Sequence, residues 1–322
     1  MPKFPFIPSN LLIPAALSSK LTPLPGHVGT AWRFWCHFHS LNVAAIAQEA
    51  ERPFHLALVG TVDQAALLAA RLALETSAPR DLGLEGPVDL RPYLGYYSDA
   101  QSVPAQSLRL EAEALTGDES GLAETLAKVI LAHPELRLSL ARHVPAFRPA
   151  VAAQLIGDAS KDNARIALIS ALPGILPITA FLSPATALGD MVILTRNQII
   201  LLLKIAAAYG KDVDLRARTR ELLPVVGSAF GWRAAARELI GLVPGGIGLV
   251  VKGSIAYAGT YTVGKAAVIY YSTGKKLTTP RLRQLYRDSL KEAGLRIRPL
   301  LQRVRPTGGS ETPLDNASAT RV

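Results

Sequence analysis

Cysteine is almost missing from this chain. Cys36 stands alone, so no internal disulfide can form, and no Cys/His ligand set with structural-zinc spacing is present. A disulfide-stapled secreted fold is excluded, and the chain reads as intracellular and without a structural metal. Charge is also sparse, at 19% against 49% hydrophobic residues, where a soluble average is roughly 25% charged. That balance excludes disorder over most of the length. Equally absent is the uninterrupted apolar twenty-mer of an ordinary transmembrane helix, although the mean hydropathy of +0.23 is high. No secretory signal is expected, because the longest apolar stretch near the start, Leu11–Leu17, is short and broken by Pro14.

What is there is length for about two domains at ~150 residues each. Residues 1–28 form a proline-rich arm (Pro2, Pro5, Pro8, Pro14, Pro23, Pro25), where fixed φ and missing donors disfavour helix and central strand. Composition then predicts a helix within Ala31–Glu51, a short buried strand from Pro53 to Gly60, and a helix over Thr61–Leu74. Val88–Ser98 reads as a strand and Glu111–Ala132 as a helix with a break near Gly117. Beyond Pro134 the pattern is helical almost throughout. The domain reading is a small α/β part over 29–150, a hydrophobic helical domain over 151–275, a basic amphipathic helix over 276–306 and a disordered tail over 307–322. The fold class is therefore α-dominated, a small degenerate α/β N-terminal part plus a larger hydrophobic multi-helix domain.

From Ile166 to Gly189 no charged residue occurs, but Pro173, Pro177 and Pro184 interrupt the stretch, which predicts a bent or broken helix. Ala185–Tyr209 continues as a long apolar helix. Its polar members Asp190, Asn197 and Lys204 are seven residues apart, so they form one stripe that must face a protein interior or water. A further helix is expected over Leu222–Ile240, with Arg233 and Arg237 on one face. From Leu239 to Gly274 only Lys252 and Lys265 interrupt an uncharged run. Ala256, Thr260 and Gly264 recur every fourth residue, the small-residue spacing that lets helices approach closely. Two readings stay open for this run, a hairpin dipping into lipid and a tight soluble helix pair.

Charge gathers near the C-terminus. Ten basic residues (Lys275, Lys276, Arg281, Arg283, Arg287, Lys291, Arg296, Arg298, Arg303, Arg305) face only Asp288 and Glu292, which accounts for +8 of the net +10. Leu282, Leu285, Tyr286, Ala293, Ile297, Leu300 and Val304 keep helical spacing, so a basic amphipathic helix is expected, ending at Pro299. Such a helix after greasy segments suits an anionic inner-leaflet surface, at ~1 kcal/mol per basic residue close to it. Lys275, Lys276, Arg281, Arg283, Arg287 and Lys291 are the expected membrane-surface residues. Nucleic acid is not the expected partner, because only Tyr286 interleaves the cations as a stacking aromatic.

Motifs for chemistry are weak or broken. Gly60-Thr-Val-Asp-Gln-Ala65-Ala66-Leu67 lies where a strand meets a helix, but Ala65, Ala66 and Leu67 stand where a phosphate loop needs glycine, lysine and a hydroxyl. Gly259-Thr-Tyr-Thr-Val-Gly264-Lys265-Ala266 has the Walker spacing with Ala266 in place of Ser or Thr, in a helical context that favours glycine packing. Cys36, His37 and His39 are too close in sequence to share one helix face, and no fourth ligand follows. Gly227-Ser228-Ala-Phe-Gly231 is not a nucleophile elbow, and Glu111 and Glu113, two apart on a helix, would diverge. No catalytic residue, metal or cofactor is assigned; Gly60, Gly264 and Lys265 are the weak cofactor-binding candidates.

The C-terminal half carries a series of spaced blocks: Ile178 to Gly189, Leu194-Thr-Arg-Asn-Gln198, Lys204-Ile-Ala-Ala-Ala-Tyr-Gly210, Glu221-Leu-Leu-Pro-Val-Val-Gly227, Trp232-Arg233 with Arg237-Glu238-Leu239, and Ile255-Ala-Tyr-Ala-Gly-Thr260 through Gly264. Over about residues 160–275 these blocks resemble a bacterial helical domain that commonly follows Era-like GTPase domains and also occurs in inner-membrane proteins. The resemblance implies a membrane-associated helical module with no catalytic residues to carry over. It also makes Pro53–Gly60 look like the first strand of a GTPase domain whose chemistry is lost, with no Asn-Lys-x-Asp motif between Gly60 and Lys161. The expectation is a non-catalytic scaffold or partner-binding protein at the cytoplasmic face of the cell membrane. Anionic lipid is its expected partner, with a protein partner or a second copy of the chain besides. The alternatives are an NTP-dependent regulator with a remodelled phosphate loop and a wholly soluble helical protein.

Overall fold

The structure, a computed structural model, describes residues 42–72, 88–91, 94–111, 119–170, 184–214 and 247–304. The proline-rich arm, Cys36, His37, His39, Gly117, Ser228 and the expected helix over Leu222–Ile240 lie outside them. The described residues are dominated by helix, with one small sheet between the first helices.

Helix α1 (Val43–Ala50) starts where the Asn42 side chain accepts from the Ala45 N–H at 3.0 Å. It leads into β1 (Leu56–Val59), whose four residues are all buried. Such a strand, covered on both faces, reads as an unbroken apolar run. Helix α2 (Val62–Arg71) follows after two residues, and β2 (Val88–Arg91), β3 (Leu94–Tyr97) and β4 (Leu108–Glu111) complete a sheet of order β2-β3-β1-β4. Both β3 and β4 run parallel to β1, whereas β2 is antiparallel to β3 with a register shift between Asp89 and Arg91. The segment between β3 and β4 lays Val103 against Ala57, Val59 and Tyr97.

Three expected boundaries are corrected here. Val88–Ser98 is two strands, because Pro92 between them has no N–H for a ladder and a fixed φ. Glu111, expected to open a helix, instead ends β4, since Leu108-Arg-Leu-Glu111 alternates buried and exposed with the period of a strand, and the described helix is Glu119–Ala132. The basic helix does not stop at Pro299 but runs through it to Val304. Pro299 has no N–H to donate to the carbonyl four residues back, but that carbonyl belongs to Leu295, an exposed residue, so water can satisfy it.

Helices α3 (Glu119–Ala132) and α4 (Arg137–His143) and a 3₁₀ turn (Pro145–Phe147) lead into the helical part. It consists of α5 (Arg148–Ile169), α6 (Pro184–Ala208), α7 (Ile247–Thr273) and α8 (Thr279–Val304). Helix α7 packs against α5, α6 and α8 together, and α4 and α1 pack on α6. A helix enclosed by three others is apolar around most of its circumference, which accounts for the long run with only Lys252 and Lys265. No helix among the described residues is long and apolar enough to cross a membrane.

The end of α6 is built with care. Gly210 takes φ 73°, its N–H donates to Ala207 O at 2.9 Å, and the Lys211 N–H donates to Ala206 O at 3.0 Å. This is a Schellman stop, which glycine makes without Cβ strain. Two guanidiniums complete it. Arg142 Nη1 donates to Lys211 O at 3.0 Å and to Ala207 O at 3.4 Å, and Arg148 Nε donates to Ala208 O and to Ala141 O, both at 3.1 Å. Positive charge belongs at a helix C-terminus, where the carbonyl dipoles leave partial negative charge. Arg142 is in turn held by Glu51, Nε to Oε1 at 2.6 Å, and Arg148 lies 5.6 Å from the Tyr209 ring centre.

Candidate functional site

The strand-to-helix junction at Gly60 is closed to phosphate by its own hydrogen bonds. The Gly60 N–H donates to Tyr97 O at 3.1 Å, and its carbonyl accepts from the Tyr96 hydroxyl at 3.1 Å. Thr61 and Gln64 form a reciprocal capping box: the Thr61 hydroxyl accepts from the Gln64 N–H, and the Gln64 side chain accepts from the Thr61 N–H. The N–H groups of Gly60, Thr61 and Gln64 are thus spent internally, and the Asp63 carboxylate in the first turn would repel an anion. Only Gly60 and Thr61 separate β1 from α2, so the loop that would wrap a phosphate has no chain to form it. Ala65 and Ala66, set against loop positions in the motif comparison, lie inside α2.

Gly264 and Lys265 lie deep within α7, not in a loop. A Cβ on Gly264 would stand 2.5 Å from Ile156 Cγ1 and 3.2 Å from Leu201 Cδ2, so the glycine lets α7 close on α5 and α6. Lys265 Nζ is 5.6 Å from the Tyr261 ring centre. The four-residue series therefore faces protein. At its middle, Thr260 is fully buried and its hydroxyl donates to Ala256 O at 2.9 Å. The same oxygen accepts from Asn163 Nδ2 at 2.8 Å and Gln198 Nε2 at 3.2 Å. Asn163 Nδ2 also donates to Leu194 O at 3.2 Å, and its Oδ1 accepts from Asn197 Nδ2 at 2.8 Å. This node ties three helices at one level, with good geometry at each bond.

Of the polar stripe on α6, Asn197 enters that node. Lys204 reaches the α1 residue Glu49, Nζ to Oε2 at 2.7 Å, and both side chains are about a quarter exposed or less. Asp190 is in the first turns of α6, and its side chain lies outside the description. Sequence reading missed Asn163 and Glu49, whose partners are 97 and 155 positions away. Their chemistry was visible in the sequence, but their pairing was not.

Helix α8 is two-sided. Ala293, Ile297 and Leu300, with Tyr286 and Leu290, pack against Ala164 and Leu168 of α5 and Tyr257 and Ala258 of α7. Burial pushes the Tyr286 hydroxyl above its ordinary pKa, and it raises Tyr257 as well, with Arg296 acting in the opposite direction. Lys275, Lys276, Arg281, Arg283, Arg287, Lys291, Arg296 and Arg298 are all exposed. Helical geometry places Arg283, Arg287, Lys291 and Arg298 on one flank. Acidic Asp288 meets Lys291 only at 3.8 Å, and Arg287 donates instead to Gln284 Oε1 at 2.7 Å.

A Ser/His contact is found among the described residues, His55 Nδ1 to Ser107 Oγ at 2.9 Å. Nucleophilic chemistry there would need free donors for an oxyanion. The nearby N–H groups are occupied, Ser107 N–H on Pro104 O and Leu108 N–H on His55 O. Among the described residues no group of three or more His, Cys, Asp or Glu side chains could hold a metal ion. No family model, no curated protein and no solved structure matches the chain.

Proposed function

We propose that this chain is a non-catalytic scaffold or partner-binding protein that attaches to the anionic, cytoplasmic face of a membrane. The observation that carries the reading is the division of α8: its apolar side is consumed by α5 and α7, and its cations stand in the open. With the apolar side already packed, the attraction of α8 to the surface is chiefly electrostatic. Each cation near an anionic leaflet contributes ~1 kcal/mol, and exposed pairs such as Lys291 with Asp288 subtract little from that. The spent donors at Gly60 and the buried Gly264 support a role without nucleotide.

Co-sedimentation with vesicles tests this directly. The full chain is expected to pellet with phosphatidylserine-containing vesicles at ~0.1 M salt and to be released near 1 M, where the screening length falls to about 3 Å. Neutral phosphatidylcholine vesicles are expected to leave it in solution. Equal binding to both, or binding to neither, overturns the reading.

A further inference from the structure

Helix α8 carries its exposed cations on two different flanks. With Ala293 set at zero and about 100° per residue, the buried Ser289, Leu300 and Ile297 fall at about 320°, 340° and 40°. Arg283, Arg287, Arg298 and Lys291 follow at about 80°, 120°, 140° and 160°, and all four are exposed. Gly294, at about 100°, stands in the interval between Lys291 and Arg298. A Cβ there would meet nothing within 4 Å, so the interval is open. From Arg283 to Arg298 the row runs about 22 Å along the helix axis.

The other flank is balanced. Asp288, Arg281, Glu292 and Arg296 fall at about 220°, 240°, 260° and 300°, two acids with two cations, all exposed. Arg296 and Glu292 act on one neighbour in opposite directions, the first lowering and the second raising the pKa of the Tyr257 hydroxyl. On the cationic flank Lys291 has an acid near it, Asp288, at 3.8 Å, and both Asp288 oxygens also accept from Gln284 Nε2 at 3.0 Å. One side of a single helix therefore carries four positive charges, and the charges of the other side cancel. A helix with its side chains is about 10–12 Å across, roughly one screening length at 0.1 M salt. A charged surface laid against one flank is felt only weakly by the other.

We propose that α8 lies along the membrane plane and meets lipid phosphate through this one flank, Arg283, Arg287, Lys291 and Arg298, with Arg281 and Arg296 turned away. The proposal rests on the membrane reading above and adds to it an orientation and a contact set. Cations in a row along the helix axis touch the surface together only if the axis is parallel to it. Headgroups can approach the backbone at Gly294, where no side chain stands between the cations.

Matched substitutions in the full chain test it. Arg283→Gln/Arg287→Gln and Arg281→Gln/Arg296→Gln each remove two charges, so a contact that senses only net charge treats them alike. Binding to phosphatidylserine/phosphatidylcholine vesicles at ~0.1 M salt is expected to weaken by about tenfold or more for the first pair and by less than about threefold for the second. Gly294→Glu places a negative charge within the row without removing any native side chain, and is expected to weaken binding by about fivefold relative to Gly294→Gln. Circular dichroism of each variant, matching that of the parent, secures the comparison. If the two arginine pairs weaken binding equally, or Gly294→Glu binds as well as Gly294→Gln, the flank is not the contact and surface attachment survives. If the parent chain does not bind these vesicles at all, both fall.

Discussion

Gly259 and Gly264 lie five residues apart in α7, and the same substitution should act on them with opposite sign. A methyl at position 259 meets no heavy atom within 4 Å. There Gly259→Ala gains the helix preference of alanine, about 1 kcal/mol, with nothing to oppose it. At position 264 the methyl would lie 2.5 Å from Ile156 Cγ1, 3.1 Å from Ile156 Cδ1 and 3.2 Å from Leu201 Cδ2. Ile156 and Leu201 are both buried, so neither can swing away into solvent. Overpacking of this kind costs about 1–3 kcal/mol, which exceeds the propensity gain. The two variants should therefore differ by roughly 2 kcal/mol, Gly259→Ala above the parent and Gly264→Ala below it. At about 2–4 °C per kcal/mol for a large domain, their melting midpoints should separate by roughly 4–8 °C. Circular dichroism during heating and urea titration measures both, and an unchanged urea slope secures the comparison. If Gly264→Ala proves as stable as Gly259→Ala, α7 is not pressed onto α5 and α6, and the account of the four-residue series fails.

Thr260→Val keeps the shape but removes the oxygen shared by Asn163 and Gln198, and should cost about 2 kcal/mol in urea denaturation. A double-mutant cycle with Gln198→Met should return a coupling above roughly 0.5 kcal/mol, and additivity would break the node. For Tyr286 and Tyr257 burial raises the folded pKa above the unfolded value, so the folded form keeps its proton longer. Their contribution to stability is fully present below about pH 10 and is lost as the pH rises through the folded values. Near-ultraviolet titration should show late tyrosinate formation, which Tyr286→Phe reduces; ordinary titration of every tyrosine would contradict it. Thr61→Ala removes the cap of α2 and should lower stability by about 1 kcal/mol, read as an earlier urea midpoint.

Local signals in the sequence were enough for much of this fold. The apolar run before Gly60 and the helical composition after it announce a buried strand followed by a helix, because each depends on neighbours a few residues away. The apolar helix expected over Ala185–Tyr209 is α6 almost to the residue. What stayed hidden was long-range. Nothing near Asn163 says that it meets Thr260, and nothing near Lys204 points to Glu49, because a side chain's partner is chosen by packing and not by spacing. The greasy α7 was ambiguous for a different reason: encirclement by protein and immersion in lipid select the same residues. The basic helix showed its two faces in sequence, but only packing reveals that the apolar one is already occupied.

The arginine-closed end of α6 has a consequence for how the molecule can be divided and made. Carbonyls of Ala207, Ala208 and Lys211 are satisfied by guanidiniums that leave the ribosome some sixty residues earlier, from Arg142 and Arg148. The N-terminal half therefore waits, already synthesised, as the template on which α6 is finished. A fragment starting at residue 151 would carry the helix without either of the groups that seal it, and its last turn would fray. The two halves are in this sense one inheritance unit, and cutting between them removes the clasp together with the part that looks dispensable.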